Sequence, residues 1–233
     1  MHVAHLKAVP FENLDIQLGR PIGLDQERLF EKIVARRRGG FCYELNGLFA
    51  QLLRSLGYDV TLLSARVAGK EQKLGPEFDH LALLVDVEGP WLADVGFGDC
   101  FLEPLRLQDG YESVQAGVGY QLLSHDGDWA LMRRKQKDAE WQLQYVFTLI
   151  PRKLQDFAEM CVWHQTSPDS HFTRTTVCTR VTEFGRITLS DDRLIVTERG
   201  TRTERQVAAD ERRRVLLNDF GIEEKGTEQV MRR

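Results

Sequence analysis

The sequence predicts an α+β fold, because helical apolar spacing fills its first quarter, short β-type runs follow, and both types return near the end. The chain has 233 residues, of which 42% are hydrophobic and 28% charged, and its formal net charge is −4. This size and composition are typical of a globular protein with a large core. Intrinsically disordered and disulfide-stapled classes are therefore excluded.

Two helices are predicted in the first 57 residues. One runs from Asp25, a residue suited to cap a helix, to the Gly39-Gly40 pair that ends it. The second starts at Phe41, and Gly57 stops it. Apolar residues at helical spacing predict its core-facing stripe: Phe41, Leu45, Leu48, Phe49, Leu52, Leu53 and Leu56.

From residue 58 the pattern changes to short β-type runs separated by Gly, Pro, Asp and Lys clusters, which predict a sheet or barrel. These runs cover residues 60–68, 81–87, 91–97, 129–134 and 144–150. A helix is predicted at 152–165, followed by strands at 175–181, 186–189 and 193–199. A last helix is predicted near 210–220, and Gly221 would close it.

Several classes of function are disfavoured. No apolar run approaches the ~18 residues of a membrane span, and the N-terminus lacks signal-peptide features, so we expect a cytoplasmic protein with no membrane partner. A net charge of −4 gives no basic field for nucleic acid. The four cysteines lack CxxC spacing and a paired His, so no metal site is predicted. Neither glycine cluster, at 95–98 or 117–119, opens a helix as a dinucleotide fingerprint does.

Cys42 is the first candidate for chemistry. It lies between the glycine pair and the second helix, where unpaired N–H groups and the helix dipole stabilise a thiolate. A catalytic cysteine needs a base, and the base needs a residue that fixes its tautomer. His80 begins an apolar strand and Asp94 interrupts another. A turn at Gly89-Pro90 predicts a hairpin that sets the two side by side.

Each of these residues also has a structural interpretation. A Cys at a helix start is more often structural, a His at a strand start is more often satisfied by a partner, and an Asp in a strand can cap a turn. The other histidines have simpler explanations: His2 and His5 lie in a start predicted to be mobile, His125 in a polar turn, and His164 and His171 beside a helix end. The pattern alone leaves both a Cys-His-Asp triad and a structural role open.

A family resemblance adds to this pattern. The segment RGGFCYELNGLF at 38–49, with PFENLD at 10–15, DHLALLV at 79–85 and LADVGFG at 92–98, resembles the arylamine N-acetyltransferase family. SPDSHF at 167–172 and LLNDFGI at 216–222 extend the resemblance over most of the chain. It implies that Cys42 is the acetyl-accepting nucleophile, His80 its base and Asp94 the residue that orients His80.

The resemblance also implies an architecture and substrates. We expect a papain-like cysteine-protease core with a helical bundle over 1–57, a central β-barrel over 58–165 and a C-terminal α/β lid over 166–233. The implied substrates are acetyl-CoA and a small aromatic amine, namely an arylamine, arylhydrazine or N-hydroxyarylamine. The implied mechanism is ping-pong transfer through an acetyl-Cys42 thioester.

Three aromatic residues match positions that line the family's acceptor pocket: Phe41, Phe97 and Phe172. An ordinary core role stays open for the first and the last of them. Glu77 and Phe78, just before His80, are the expected contacts to the CoA chain. Glu44 and Arg38, on either side of the nucleophile, are expected to stabilise this junction rather than to transfer protons.

Two departures from the family pattern bear on assembly and binding. Only nine residues precede Pro10, where the family carries another helical segment, so exposed apolar surface would favour a homo-oligomer. Asp99 and Cys100 follow DVGFG where another Gly is usual, which would place a charge near the CoA entrance.

The competing hypotheses are a papain-like hydrolase or amide synthase with the same triad, and a catalytically impaired relative that acts as an interaction protein.

Overall fold

The computed structural model describes residues 1–223, and its first quarter is helical, as predicted. The regular elements there are α1 (His2–Ala8), β1 (Phe11–Glu12), α2 (Leu14–Gln17), α3 (Gln26–Phe30) and α4 (Cys42–Ser55). Asp25 caps α3 by accepting a hydrogen bond from the Arg28 N–H at 3.0 Å. The helix widens into a π-type turn over Glu31–Ala35 and stops before Arg37, whose φ of 51° is left-handed. It is therefore shorter than the predicted 25–40.

The helix α4 buries only part of the predicted stripe. Leu45, Phe49 and Leu53 are buried, whereas Leu52 and Leu56 are exposed. The expectation that these two leucines face the core is wrong, because the packed face of α4 is narrower than the apolar stripe.

The N-terminal segment is a helix packed on the core, so the prediction of a mobile start is wrong. His2 is buried and stacks on Phe101 with ring centroids 5.6 Å apart. His5 meets Phe49 of α4 edge-on at 5.1 Å. These long-range aromatic contacts hold a short segment whose two histidines gave no such signal in the sequence.

The larger sheet is antiparallel and barrel-like, with strand order β5-β4-β3-β2-β9-β8-β7-β6 along the sheet. Its strands are β2 (Asp59–Val67), β3 (His80–Asp86), β4 (Pro90–Ala93), β5 (Leu105–Arg106), β6 (Glu112–Gln115), β7 (Val118–His125), β8 (Asp128–Arg134) and β9 (Gln142–Thr148). A short 3₁₀ turn, Lys70–Gln72, lies between β2 and β3. Sequence reasoning missed β6 and β7, because Gly and polar residues interrupt their apolar pattern. They form strands because β6 pairs with β7 and β7 pairs with β8.

The predicted hairpin is present as β3 and β4. Asp86 pairs with Pro90 and Leu83 with Ala93 across the two strands. Gly89 turns the chain with a φ of 118°, which glycine adopts without steric cost. If this register continues past β4, Asp94 lies opposite Ala82. It is then the diagonal neighbour of His80 on the same face of the sheet.

A second sheet has the order β1-β10-β11-β12-β13. It joins β1 to β10 (Val177–Val181), β11 (Gly185–Ser190), β12 (Arg193–Glu198) and β13 (Thr201–Gln206). The helix α7 (Ala209–Phe220) packs on this sheet and ends at Gly221, whose φ is 72°. Because β1 pairs with β10, the first residues of the chain share a sheet with the region expected to be a separate unit over 166–233. That range extends beyond the described residues.

The predicted helix at 152–165 is found as a 3₁₀ turn, Leu154–Phe157, followed by α5 (Ala158–Thr166). A short helix, α6 (His171–Arg174), comes next. Phe157 and Cys161 pack in the same core as α4 and β3, so this segment lies against the start of α4. No helix within residues 1–223 is long and apolar enough to cross a membrane.

Candidate active site

Cys42 is the first residue of α4, and its side chain is buried. The backbone of Phe41 is extended, and the glycines before it let the chain pass close to Pro10 and to Phe11 of β1. A Cβ on Gly39 would collide with the Pro10 carbonyl, so only glycine fits there. The predicted position of Cys42 at a helix N-terminus is confirmed.

His80 and Asp94 form a hydrogen-bonded pair in the interior. The His80 Nε2 lies 2.8 Å from the Asp94 Oδ2, and both side chains are buried. The expectation that the hairpin brings these two residues within hydrogen-bonding reach is therefore confirmed. Since Nε2 is engaged by Asp94, the other ring nitrogen, Nδ1, remains for a second partner.

The start of α4 packs directly on the loop that follows Asp94. A Cβ on Gly96 would lie 2.8 Å from the Cys42 Cα and 2.7 Å from the Asn46 Nδ2, which real contacts do not allow. Glycine is thus required at 96 for this approach. The Leu81 N–H, next to His80, faces the Cys42 sulfur and stabilises its charged form. These contacts bring the cysteine and the His-Asp pair into one site.

Asp94 has further hydrogen-bond donors that sequence reasoning missed. Its Oδ1 accepts from the Asn46 Nδ2 at 2.8 Å and from the Gly96 N–H at 2.9 Å. The Tyr145 hydroxyl donates to its Oδ2 at 3.2 Å. Asn46 lies one helical turn after Cys42 in the recognised motif, so its spacing was a usable signal. Tyr145 comes from a distant strand and gave none.

The His2 ring accepts a hydrogen bond from the backbone of Asp94. The Asp94 N–H donates to the His2 Nε2 at 3.0 Å, so the His2 Nδ1 carries the proton and donates to the Leu102 carbonyl at 2.6 Å. Burial lowers the pKa of His2, which keeps the ring in this neutral form.

Burial dominates the electrostatics of the site. Burial raises the pKa of the Cys42 thiol well above its ordinary value, the Asp79 carboxylate raises it further, and the Leu81 N–H opposes both. The resting thiol is therefore harder to ionise than its helix-start position predicts. For Asp94, burial acts to raise the pKa, but the charge and hydrogen bond of His80 outweigh it and hold the pKa below its usual value.

The predicted aromatic residues lie around this site at different depths. Phe97 is half-buried and meets the His80 ring edge-on at 5.2 Å. Phe172 is also half-buried, and Phe41, fully buried, packs behind it with ring centroids 5.8 Å apart. In this structure Phe97 and Phe172 offer accessible surface, and Phe41 supports the second of them.

The two residues expected at the CoA chain lie in the loop before His80. Glu77 is exposed, and its carboxylate pairs with the Arg152 guanidinium at 3.0 Å. Phe78 has a left-handed φ of 63°, an uncommon conformation for a bulky residue that marks a constrained loop. The Tyr43 hydroxyl donates to the Phe78 carbonyl at 2.6 Å and helps to hold it.

Two arginines neutralise the charge of Asp99. Its carboxylate pairs with Arg133 at 3.0 Å and with Arg186 at 3.1 Å. Together the three side chains leave a local excess of positive charge, so the expected acidic charge at this position is offset.

Within residues 1–223, leaving aside the side chain at position 70, no cluster of three or more His, Cys, Asp or Glu side chains is arranged to hold a metal ion.

A buried charge network supports the start of α4 from its other side. Three carboxylates and two cations form its interior: Glu12, Asp15, Glu44, Lys32 and Arg38. A third cation, Arg20, approaches Asp15 at 3.8 Å from the surface. The Lys32 Nζ lies 2.8 Å from both Asp15 and Glu44, and Arg38 lies 2.8 Å from Glu12. Glu44 also accepts the Phe41 N–H at 3.1 Å. This geometry supports the structural role expected for Glu44 and Arg38.

One carboxylate of this network, that of Glu44, makes stability depend on pH. Burial raises the pKa of Glu44 to about 7, despite the opposing charge of Lys32. The folded protein therefore binds more protons than the unfolded chain between about pH 4.5 and 7, and the free energy of unfolding falls as pH rises through that window. Glu44 lines an open cavity of about 1330 Å³, so it can exchange protons with solvent.

We expect Glu44→Gln to remove this pH dependence. The free energy of unfolding of the variant minus that of the parent should rise by about 2–3 kcal/mol from pH 5 to pH 8. Urea unfolding at both pH values measures it, with Glu159→Gln, at an exposed position of α5, as the control. A constant difference at the two pH values would show that folding does not raise the pKa of Glu44.

The fold and the site together indicate a class of enzyme. A cysteine at a helix start beside a buried His-Asp pair, on an α+β scaffold, is typical of cysteine enzymes that transfer or cleave acyl groups. A family model described as N-acetyltransferase matches residues 1–229. The chain is 40% identical over 194 residues to the arylamine N-acetyltransferase / N-hydroxyarylamine O-acetyltransferase of Salmonella typhimurium, covering 82% of this chain and 68% of that protein. The chain belongs to the arylamine N-acetyltransferase family of enzymes.

Solved structures agree with this assignment. The arylamine N-acetyltransferase from Salmonella typhimurium superposes with a TM-score of 0.90 at 35% identity, over 99% of this chain and 85% of that one. The Mycobacterium marinum arylamine N-acetyltransferase in complex with CoA gives a TM-score of 0.86 at 34% identity, over 94% and 83% of the two chains. The predicted fold class and family are thereby confirmed.

Proposed function

We propose that this enzyme transfers the acetyl group of acetyl-CoA to an arylamine in two steps, through an acetyl thioester on Cys42. The 2.8 Å hydrogen bond between the His80 Nε2 and the Asp94 Oδ2 carries the proposal, because it leaves His80 Nδ1 to act on the thiol. Family membership supplies the donor and acceptor classes, and the neighbour from Mycobacterium marinum is a CoA complex.

In the first step the Cys42 thiol gives its proton to the His80 Nδ1 as the sulfur attacks the acetyl carbonyl. Burial of the thiol favours this coupled transfer over a preformed thiolate. The CoA thiolate then leaves and takes the proton back from His80. Exchange of one thioester for another is nearly neutral in energy, so the acetyl-enzyme can accumulate.

In the second step the amine nitrogen attacks the acetyl-Cys42 carbonyl, and His80 takes the proton that the nitrogen loses. The Cys42 sulfur leaves and regains a proton. The Cys42 N–H is the candidate donor to the oxyanion, because the first N–H groups of α4 have no intrahelical partner. Asp94 holds the His80 ring in the required tautomer throughout.

The acceptor is proposed to stack between Phe97 and Phe172, whose rings flank the site and suit a planar aromatic amine. Glu77 and Phe78 are proposed to border the CoA chain, because they lie directly before His80 in the constrained loop. An N-hydroxyarylamine would fit the same pocket, and the Salmonella typhimurium relative is named for O-acetylation of such compounds.

Intact mass spectrometry of the protein with acetyl-CoA and no amine tests this function. We expect one acetyl increment, located on Cys42 by peptide mapping, that disappears when an arylamine is added. An acetyl group lost to water at the same rate without amine would indicate a hydrolase. Absence of any adduct on a folded protein would favour another acyl donor or an impaired relative.

A further inference from the structure

One loop carries both a residue of the proposed catalytic pair and a wall of the proposed acceptor pocket. This loop, called the Phe97 loop below, covers residues 94–102, so that it begins with Asp94 and ends with Leu102. The pairing of β4 with β3 ends at Ala93, so from Asp94 onward the sheet no longer holds the backbone. The position of the Asp94 carboxylate therefore depends on what fixes the two ends of the loop.

A single side chain, the imidazole of His2, bridges the two ends of the Phe97 loop. At the first end the Asp94 N–H donates to the His2 Nε2 at 3.0 Å. At the other end the His2 Nδ1 lies 2.6 Å from the Leu102 carbonyl oxygen. A backbone N–H only donates and a carbonyl only accepts, so the neutral ring with its proton on Nδ1 satisfies both groups. The bridge thus joins α1 to a loop that begins 92 residues further along the chain.

The packing of α1 holds the His2 ring in this place. The ring is buried and stacks on Phe101, inside the Phe97 loop, with centroids 5.6 Å apart. It also meets Phe49 edge-on at 6.1 Å, so it touches the helix of the proposed nucleophile. His5, about one turn later in α1, packs on the same Phe49 at 5.1 Å. Within residues 1–223 the buried His5 Nδ1 has no hydrogen-bond partner, so His5 gives similar packing without a bond to the loop.

Other contacts also hold the Phe97 loop, through the Val95 N–H, the Leu102 N–H and the Asp99 carboxylate. They involve other atoms, so they do not replace His2 at the Asp94 N–H. Loss of the ring would leave this buried N–H without its acceptor, and the backbone would shift to regain one. Such a shift moves the Asp94 carboxylate away from its 2.8 Å bond to His80.

We propose that His2 is a positioning residue for acetyl transfer, because its ring fixes both ends of the Phe97 loop and thereby holds Asp94 against His80. The same bridge keeps Phe97 at the acceptor pocket. His2 contacts neither substrate in this assignment and acts through the loop. The inference rests on the proposed function in taking Asp94 as the partner of the base. The hydrogen bond between His80 and Asp94, however, is observable without any acetyl transfer.

Single-turnover acetylation of the enzyme by acetyl-CoA, without amine, tests this role in His2→Leu. Leucine occupies a similar space but neither accepts nor donates a hydrogen bond. We expect the rate constant of acetyl-enzyme formation to fall by about 10–100-fold, since a displacement of about 1 Å in a catalytic group has an effect of this size. The acetyl-CoA concentration at half-saturation should change by less than about twofold, because Glu77 and Phe78 lie outside the loop.

Two further variants separate hydrogen bonding from packing. His5→Leu makes the same substitution on the same helix and removes no bond to the loop, so it should keep the parent rate. His2→Gln supplies one carbonyl oxygen and one amide N–H in place of the two ring nitrogens, so it should recover most of the rate. The ¹H NMR signal of the His80 Nε2–H, which reports its bond to Asp94, should shift in His2→Leu and stay unchanged in His5→Leu.

A rate constant of folded His2→Leu within about threefold of that of His5→Leu would overturn the proposal. So would equal rates for His2→Leu and His2→Gln, because that pattern excludes the hydrogen bonds as the cause. If His2→Leu does not fold, ¹⁵N NMR of the His2 ring in the parent protein decides, since a proton on Nε2 at pH 7 contradicts the bridge. Absence of an acetyl adduct in the parent would overturn the two-step function, while the His80 signal would still test the role of His2.

Discussion

Replacement of Cys42 by Ala will abolish acetyl transfer while the fold is retained. The sulfur is the proposed acetyl acceptor, whereas the Tyr43 hydroxyl donates to the Phe78 carbonyl and the Cys161 sulfur accepts from the Gln165 amide, so both of these groups are engaged elsewhere. We expect kcat/KM to fall by more than about 10³-fold. Removal of one buried sulfur should cost about 1–2 kcal/mol of stability, too little to unfold the chain.

The measurement compares arylamine acetylation, acetyl-adduct formation and thermal unfolding for this variant and for Cys178→Ala. Cys178 is also buried but lies in β10, in the core of the second sheet, so its substitution controls for the loss of a buried thiol. We expect the control to keep its activity. Normal turnover by Cys42→Ala would refute the covalent mechanism.

Replacement of Asp94 by Asn will lower kcat by about 10³–10⁴-fold, even though the side chains have nearly the same size. The four contacts of the Asp94 carboxylate are hydrogen-bond donors in the proposed state: the Asn46 amide, the Gly96 N–H, the Tyr145 hydroxyl and the His80 Nε2–H. An Asn side chain has one acceptor oxygen and one donor nitrogen. Either orientation therefore sets a donor against donors.

The lower-energy response is a change of tautomer at His80. If the new side-chain amide of Asp94→Asn donates to Nε2, the proton of His80 must move to Nδ1, the nitrogen proposed to take the Cys42 proton. The base is then blocked while the ring stays in place. This explains why the expected loss is in kcat and in the rate of acetyl-enzyme formation, with a smaller change in KM.

Stopped-flow or quenched measurement of acetyl-enzyme formation checks this prediction, with Asp86→Asn as the matched control. Asp86 is exposed at the end of β3 in the same hairpin, so the control makes the same chemical change away from the site. A variant Asp94→Asn with more than about a tenth of parent kcat would show that His80 does not depend on this carboxylate.

Local sequence patterns were sufficient to predict the elements that carry the proposed chemistry. The glycine pair before an amphipathic helix predicted the position of Cys42, and the turn at Gly89-Pro90 predicted the hairpin of His80 and Asp94. These predictions succeeded because helix starts and hairpins are decided by residues close together in the chain. The motif resemblance then identified the family and, with it, the expected fold class.

The tertiary structure decided the remaining features, because they depend on residues far apart in sequence. The contact of His2 with the Asp94 backbone, the Tyr145 hydroxyl bond and the His164–Asp79 pair each join segments that no local pattern relates. The protonation preferences of Cys42 and Glu44 follow from burial, which exists only once the elements pack. Sequence alone thus determined which groups are present and on which elements, whereas packing determined their partners and charges.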